Sequence, residues 1–249
     1  MSASPASFSL MELFESANIT WPTVLYMLGG AGMTCALICL AMLLGLFLGT
    51  ILASFQVYGP PAAGRLVSLY TWFFRGVPIL VLMFLFHFGL AGMVESAVYK
   101  LFEYRLRLPF LSAITVLGLC SAAYQSQIFR GAMQSIPAGQ FRAAKALGMT
   151  TAGAVKTIIL PQTLRISIPA WSNEYSILLK DSAIAYVLGV SEIMARIKAV
   201  SSTNHKPLLM FILAGILYYI LTTIGVRLLL ALYNKIRIPG LAEIDSGQN

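Results

Sequence analysis

The sequence predicts an all-α integral membrane protein with about five transmembrane helices, and three observations lead to this prediction. Hydrophobic residues make up 58% of the 249-residue chain and charged residues only 10%, whereas soluble domains carry roughly 25% charged residues. Several apolar stretches reach the roughly 20 residues that a helix needs to cross the hydrocarbon core of a bilayer. The Lys and Arg residues lie mainly between and beside these stretches, which is the pattern of membrane topology.

Five apolar stretches define the predicted spans of a single transmembrane domain, residues 22–235. The spans cover about 22–54, 65–90, 110–131, 166–190 and 207–233. Gly59, Pro60 and Pro61 separate the first span from the second, because these residues break a helix. The fourth span contains three charged residues, Glu174, Lys180 and Asp181.

The distribution of positive charge predicts which side of the membrane each loop faces. In a five-span chain the two ends lie on opposite sides, and one side then collects 11 of the 17 Lys and Arg residues while the other collects 6. The richer side is predicted to be cytoplasmic. The N-terminal segment 1–21 is then extracytoplasmic, and the loop 132–165 and the tail 236–249 are cytoplasmic. The N-terminal segment lacks the basic residues and the apolar core of a cleavable signal peptide.

Composition also argues against several classes of function. The net charge is +8, but the basic residues are dispersed without an aromatic-interleaved patch, so nucleic acid is not a predicted partner. Cys35, Cys39 and Cys120 lie inside apolar stretches without a His or Cys cluster, and we expect packing residues rather than metal ligands. No lysine follows a glycine, so the chain has no recognisable P-loop for nucleotide phosphates. We therefore expect no cofactor, metal or catalytic residue on this chain.

The longest polar stretch between two spans, residues 132–165, is predicted to form two short helices at the membrane edge. Pro137 suits the first turn of the first helix, and Gly148 suits its C-terminal cap. Thr150 or Thr151 can cap the second helix, which Pro161 would limit.

Small residues recur along the first of these two helices. Ala143, Ala144, Leu147 and Gly148 follow one another at three- and four-residue spacings, which gives one face little side-chain bulk. Two interpretations remain open. Another protein approaches this face closely, or the segment is a surface turn packed on the protein's own helices.

Several motifs of the loop occur in a fixed order: Arg142-Ala143-Ala144, then Gly148, then Leu160-Pro161. In this order and spacing the chain resembles the inner-membrane permeases of type I ABC importers, whose cytoplasmic loop carries an "EAA" segment, a later Gly and a Leu-Pro. The closer resemblance is to the polar amino acid branch, the histidine, glutamine and arginine permeases. Its motifs are Phe129-Arg130-Gly131, Ser135-Ile136-Pro137, Gly139-Gln140 and Ala146-Leu147-Gly148 in and beside the loop, and Gly30 with Thr34, Phe74-Arg75-Gly76-Val77-Pro78, Asn173-Glu174 and Leu178-Leu179-Lys180-Asp181-Ser182 elsewhere.

The resemblance implies the permease fold of these importers and a non-catalytic subunit in the bacterial inner membrane. Its function would be to translocate a polar amino acid that an extracytoplasmic binding protein delivers. The resemblance also implies two ATPase subunits, separate chains that bind ATP and Mg²⁺, and a second permease chain that is a paralogue or an identical copy. The residues implied in coupling to the ATPase are Pro137, Gly139, Gln140, Arg142, Ala143, Ala144, Leu147 and Gly148.

Two positions depart from the family pattern. The family usually has Glu where this chain has Arg142, and often has Glu where it has Gln127. Both differences change the charge. If the loop docks on an ATPase, we expect Arg142 to alter the electrostatics of that contact and to require a matched partner.

Ionisable residues in the predicted spans are candidates for the substrate pathway, because charges at membrane depth usually face a bundle interior or an aqueous cavity. Glu174 and Asp181 align on one helix face, with Lys180 on the neighbouring stripe. They line the pathway, or Lys180 and Asp181 form a structural pair near a subunit interface. Arg75 is predicted in the inner half of the second span, as a gate or substrate residue or as an arginine that snorkels to the cytoplasmic interface.

A self-contained secondary transporter or channel for small polar solutes is the alternative function. Secondary transporters commonly contain internal repeats of their membrane halves, and this sequence has none that stands out. A membrane enzyme has less support, since no nucleophile with a base or metal constellation is visible.

Overall fold

The protein is described by a computed structural model over residues 20–94 and 108–236, and these residues are almost entirely helical. The predicted segment 1–21 and the tail 236–249 lie almost wholly outside the described residues. The helices are α1 (Trp21–Tyr58), α2 (Pro61–Gly76), α3 (Ile79–Val94), α4 (Leu108–Ser135), α5 (Ala138–Ala146), α6 (Thr151–Ala154), α7 (Leu160–Asp181), α8 (Ile193–Asn204) and α9 (Pro207–Ile236). A π-helical turn (Val155–Ile159) joins α6 to α7, and a 3-10 turn (Ser182–Leu188) follows α7.

Helix α4 forms the centre of the bundle. In its most apolar 18-residue window 56% of residues are buried, against 33% for α1 and 11% for α9. Helices α1, α3 and α7 pack directly on α4, whereas α9 covers α7 from outside and α8 lies between α1 and α9. This arrangement confirms the predicted all-α membrane fold.

A stripe of small residues lets α1 approach α4 closely. Ala41, Gly45, Gly49 and Ala53 recur every four residues and are all buried, so they lie on one face of α1. A Cβ added at Gly45 would overlap the side chain of Gln125 on α4. This spacing of small residues is the feature that membrane helices use to pack backbone against backbone.

The predicted second span, 65–90, is two helices rather than one. Helices α2 and α3 are bent by 104° at the break, where Val77 is extended at φ −90° and ψ 132° and Pro78 follows. Proline has no N–H to continue a helix, and it disfavours helical geometry in the residue before it. The Phe-Arg-Gly-Val-Pro motif is therefore a corner of the fold.

The predicted fourth span, 166–190, also differs in its boundaries. Helix α7 begins earlier and ends at Asp181, and the 3-10 turn then runs to Gly189 at φ 92°. Pro161 does not end the second short helix of the loop, as the sequence had predicted. A π turn precedes α7, and in it the Leu160 N–H bonds to the Val155 carbonyl. Pro161 therefore lies in the first turn of α7, where no N–H is required.

Three helices of the described residues, or four spans if the bent pair counts as one, pass a test of length and apolarity, against the five predicted spans. Within the described residues, α1, α4 and α9 are each long and apolar enough to cross a membrane, and the bent pair of α2 with α3 passes the same test jointly. Helix α7 falls short of this apolarity because it is rich in polar and charged residues. It packs against both α4 and α9, which shields much of that polar surface.

Candidate functional site

The helix predicted to contact an ATPase is α5, and it ends in a left-handed turn. Pro137 precedes the helix instead of occupying its first turn. Gly148 has φ 82°, a conformation that glycine adopts without strain. Its N–H donates to the Lys145 carbonyl at 3.0 Å, and the Met149 N–H donates to the Ala144 carbonyl at 3.1 Å. These are the two bonds of a Schellman cap, so Gly148 ends α5 as the sequence predicts.

The two faces of α5 differ in burial. Gln140 and Phe141 are half-buried, and Ala144 is only 2% exposed, so this inner face packs on the protein itself. The predicted small-residue face is wrong in including Ala144, because the methyl group of Ala144 points into the core. The opposite face, which we call the outer face, consists of Gly139, Arg142, Ala143, Ala146 and Leu147. Leu147 is 85% exposed, the largest exposed fraction among the large apolar side chains of the described residues.

Two side-chain contacts attach the inner face of α5 to long helices. Gln162, in the first turn of α7, donates from Nε2 to Oε1 of Gln140 at 2.7 Å. The Phe141 ring lies 4.8 Å from the ring of Tyr58, the last residue of α1. Phe141 also packs on the buried cluster that contains Phe129. Helix α5 is therefore held against both α1 and α7.

The loop around α5 carries charge of one sign. Arg142, Lys145, Lys156 and Arg165 are all exposed, and residues 132–165 include no Asp or Glu. Lys145 donates to the Met149 carbonyl at 3.1 Å. The exposed surface of this loop therefore favours an acidic partner surface.

The second short helix of the loop has the cap that the sequence predicts. The Gly153 N–H donates to the Thr150 hydroxyl at 3.1 Å, so Thr150 rather than Thr151 is the N-cap residue. Helix α6 is only four residues long, and it leads directly into the π turn.

Glu174, a predicted pathway residue, belongs to a buried polar network. It is 3% exposed, and its Oε1 accepts a hydrogen bond from the Ser121 hydroxyl at 2.8 Å. Gln125 donates from Nε2 to the same Ser121 oxygen at 2.9 Å and accepts at Oε1 from Trp171 Nε1 at 2.8 Å. Gln125 also donates to the Met42 carbonyl at 3.3 Å. The network joins α1, α4 and α7 where an unpaired polar group would be costly.

Arg75, another predicted pathway residue, is exposed at the end of α2 beside an open cleft. Its guanidinium carbon lies 4.8 Å from the centre of the Tyr124 ring, a cation–π geometry. The cleft has a volume of about 350 Å³, and its lining residues are Thr71, Trp72, Arg75, Gly76 and Tyr124. Arg75 is also close enough to Glu174 to attract it electrostatically.

Lys180 and Asp181, the remaining pathway candidates, lie at the C-terminal end of α7. Lys180 is exposed and Asp181 is half-buried, and the two attract each other electrostatically. Asp181 and Glu174 repel each other along the same helix. The structure thus distributes the four candidates around α4, and Arg75 alone among them lines the cleft.

A second constellation, centred on Glu192, holds the start of α8. Glu192 is fully buried and accepts hydrogen bonds from the backbone N–H groups of Met194 at 2.9 Å and Ala195 at 2.8 Å. The Tyr218 hydroxyl of α9 donates to the same carboxylate. The Ile193 N–H donates to the Thr34 hydroxyl of α1 at 3.3 Å. Glu is not among the residues that are usually preferred at an N-cap, so the local sequence gives no clear signal for this role of Glu192.

Arg196 ties α8 to α1 a second time. Its guanidinium donates to the Tyr26 carbonyl at 2.7 Å and to the Ser191 carbonyl at 3.1 Å, and it lies 4.9 Å from the centre of the Tyr26 ring. Across the described part of the chain, no three His, Cys, Asp or Glu residues are grouped closely enough to hold a metal ion.

Sequence reasoning missed the residues that connect these sites. Ser121 and Gln125 could have been found, because two polar residues four positions apart in an apolar span indicate a buried polar face. Gln162 and Tyr58 carry no comparable local signal, since their importance depends on which residues of α5 turn inward.

Known proteins share this sequence pattern and helical arrangement. Residues 45–238 match the family model described as "Binding-protein-dependent transport system inner membrane component". Over 185 residues the chain is 38% identical to the probable amino-acid permease protein YxeN of Bacillus subtilis (strain 168), covering 74% of this chain and 79% of that protein. Over 199 residues it is 32% identical to the arginine ABC transporter permease protein ArtQ of Haemophilus influenzae, covering 80% and 88% respectively. The crystal structure of an amino acid ABC transporter with histidines superposes with a TM-score of 0.71 at 25% identity, covering 92% of this chain and 100% of that chain.

Proposed function

The chain belongs to the binding-protein-dependent transport system inner membrane components, and from this premise we propose that it forms the translocation pathway of an ATP-driven importer for polar amino acids. It is a multi-pass, non-catalytic subunit of the inner membrane. Relatives named as an amino-acid permease and an arginine permease support the class of substrate. The observation that carries the proposal is the outer face of α5, a surface presented by a helix that is attached to α1 and α7, with nothing of the described chain against it.

The outer face of α5 suits a groove in a partner ATPase. Gly139, Ala143 and Ala146 have little side-chain bulk, so another backbone can approach the helix closely. The exposed Arg142 and the absence of any acid in the loop favour a groove with acidic residues. In this proposal ATP and Mg²⁺ bind only to the ATPase, and closure of two ATPase subunits moves α5 in each of two permease chains.

Purification of the assembled complex from its native membrane in mild detergent tests the partner. We expect P-loop ATPase chains and a second permease to co-purify, and the stoichiometry distinguishes a second copy of this chain from a paralogue. The variant Ala143→Trp should lose the ATPase but keep its fold, because its bulky ring would fill the space between α5 and the groove. Gln134→Trp, an exposed position of α4 away from the outer face, is the matched control and should retain the ATPase.

Uptake into proteoliposomes separates the importer from the alternative of a secondary transporter. The importer requires internal ATP and an external binding protein, whereas a secondary transporter requires an ion gradient and neither of the two. Recovery of this chain alone in several detergents, with gradient-driven uptake, would favour the alternative.

Arg75 is the candidate for recognising the substrate carboxylate. Its guanidinium lies at an open cleft, held over Tyr124, and a guanidinium can form two hydrogen bonds with a carboxylate. We expect Arg75→Gln to raise the KM for uptake about tenfold or more, with normal assembly. Arg65→Gln, an exposed arginine of the same helix, is the control. An unchanged KM for Arg75→Gln would leave a structural role for this arginine.

Glu174, Lys180 and Asp181 have a more structural assignment within this proposal. Glu174 is buried and hydrogen bonded to Ser121, so its main role is to pack α7 on α4. The attraction between Lys180 and Asp181 suits a local pair at the end of α7. Substituting Glu174 by Gln should therefore lower stability more than it alters the KM.

The proposed topology has the N-terminus outside and α5 in the cytoplasm. A cysteine-free variant with a single cysteine at Lys145, in α5, should react with a membrane-impermeant thiol reagent only in inverted vesicles. A single cysteine at Lys198, in α8, should react from the outside of intact cells. Both positions are exposed, so accessibility depends on the side of the membrane.

A further inference from the structure

We propose that Gln162 is a positioning residue of the transport cycle, and that its hydrogen bond to Gln140 passes the movement of α5 to α7. The inference rests on the proposed function, in which an ATPase moves α5. This inference gives Gln140 a different role from the ATPase contact that the family resemblance implied. In the structure Gln140 lies on the inner face of α5, away from the outer face.

The contact between these two glutamines is specific in direction. Gln162 Nε2 donates both to Gln140 Oε1 at 2.7 Å and to the Ile158 carbonyl at 2.8 Å. Two acceptors for the two hydrogens of one amide fix the orientation of the Gln162 side chain. A shift of α5 along or around its axis therefore pulls on the first turn of α7.

The other attachment of α5 has different mechanical properties. The Tyr58 and Phe141 rings meet at a centroid distance of 4.8 Å and an interplanar angle of 32°. A ring pair of this kind contains no hydrogen bond, and its attraction comes from apolar contact and the quadrupoles of the rings. This contact keeps α5 close to the end of α1.

The side-chain contact adds a second connection beside the π turn. A π turn contains an extra residue and interrupts the regular hydrogen bonds of a helix, and here it lies between α6 and α7. Pro161 follows at once and has no N–H to reinforce the junction. The Gln140–Gln162 bond lies beside this junction and connects α5 directly to the first turn of α7.

Helix α7 can pass this movement on to two neighbouring helices. It is bonded to α4 through Glu174 and Ser121, and to α9 through the Tyr175 hydroxyl, which donates to the Leu221 carbonyl at 3.1 Å. A displacement at Gln162 thus reaches the helices on both sides of α7. The cleft is also close to this contact. Tyr124, which lines the cleft, follows Ser121 by about one helical turn on α4.

A double-mutant cycle tests the inference with the complete complex in proteoliposomes, and the readout is substrate taken up per ATP hydrolysed. We expect Gln140→Met and Gln162→Met each to lower this ratio about fivefold, the factor that corresponds to one neutral hydrogen bond. The double variant should also be about fivefold lower, because both substitutions remove the same bond. Gln140→Glu keeps an acceptor oxygen and should retain the ratio.

Thr163→Val is the matched control. It removes a hydrogen bond of the same turn, from the buried Thr163 hydroxyl to the Ile159 carbonyl at 2.9 Å, without touching α5. It should lower thermal stability and leave the ratio unchanged. Unchanged ratios in both single Met variants with the ATPase still bound, or a multiplied loss of about 25-fold in the double variant, would overturn the inference. Absence of any co-purifying ATPase with the wild-type chain would instead refute the proposed function.

Discussion

Two short helices at different ends of the bundle, α5 and α8, are attached to the long helices in contrasting ways. Helix α8 is seated through a buried carboxylate, Glu192, and a guanidinium, Arg196, which bond to α1, α9 and its own first turn. Helix α5 is attached through one neutral hydrogen bond, one ring contact and the apolar packing of Phe141 and Ala144, without any charged group. Hydrogen bonds that involve a charged group are roughly twice as strong as neutral ones, so α8 is fixed where α5 is free to shift.

The backbone packing of the two helices shows the same difference. A Cβ added at Gly30 of α1 would lie 2.9 Å from Cα of Ile193, the first residue of α8. A Cβ added at Gly139 of α5 would meet nothing within 4 Å. One helix is therefore packed backbone against backbone, while the other leaves an open surface, which is the property that a moving contact with a partner requires.

The largest effect on this comparison is expected from Glu192→Ala. The substitution leaves the Met194 and Ala195 N–H groups and the Tyr218 hydroxyl without their acceptor, and it should lower the free energy of unfolding by about 3 kcal/mol. The midpoint of thermal unfolding in detergent measures the change, and the loss of the monodisperse size-exclusion peak is its readout.

Glu192→Gln is the control for that substitution. Its amide oxygen can still accept one backbone hydrogen bond, so its loss of stability should be smaller. Equal midpoints for Glu192→Ala and the wild-type chain would mean that α8 does not depend on this cap, and the contrast with α5 would fail.

A smaller effect is expected from a matched pair of glycine substitutions. Gly30→Ala should lower the free energy of unfolding by about 2 kcal/mol, because the new methyl group meets backbone that cannot move aside. Gly139→Ala should change it by less than about 0.5 kcal/mol, since the position is open and alanine favours a helix. The same thermal assay applies to both variants, and comparable losses at the two positions would contradict the difference in packing.

The parts of this comparison that the sequence predicted are those set by local chemistry. Gly148 ends α5 and Thr150 caps α6 as expected, because caps act over three or four residues. Gly30 and Thr34 were recognised only as family motifs, and the structure explains them as the seat of α8. Their role needs a partner about 160 positions later in the chain, as the Thr34 contact illustrates.

The parts that the sequence did not predict depend on tertiary packing. Ala143 and Ala144 are identical in type and adjacent, yet one is exposed and the other is 2% exposed, because Phe141 fixes which face of α5 turns inward. Pro161 was expected to end a helix, and the π turn before it keeps the helix going. Pro78 was recognised only as part of a family motif, because a bend of 104° depends on how α2 and α3 pack around α4.

The smallest effect on stability and the clearest effect on function are expected from one substitution of the outer face, Arg142→Glu. Arg142 is exposed and α5 is anchored through other residues, so the thermal midpoint should not change. If the ATPase groove is acidic, the introduced carboxylate faces like charge, and uptake should fall about tenfold, the factor for about 1.4 kcal/mol of lost interaction. Added salt should restore part of this uptake, because it screens exposed charges. Arg165→Glu, which changes the same charge outside α5, is the matched control. A lower thermal midpoint for Arg142→Glu would show that the outer face of α5 contributes to stability. The contrast between α5 and α8 would then fail.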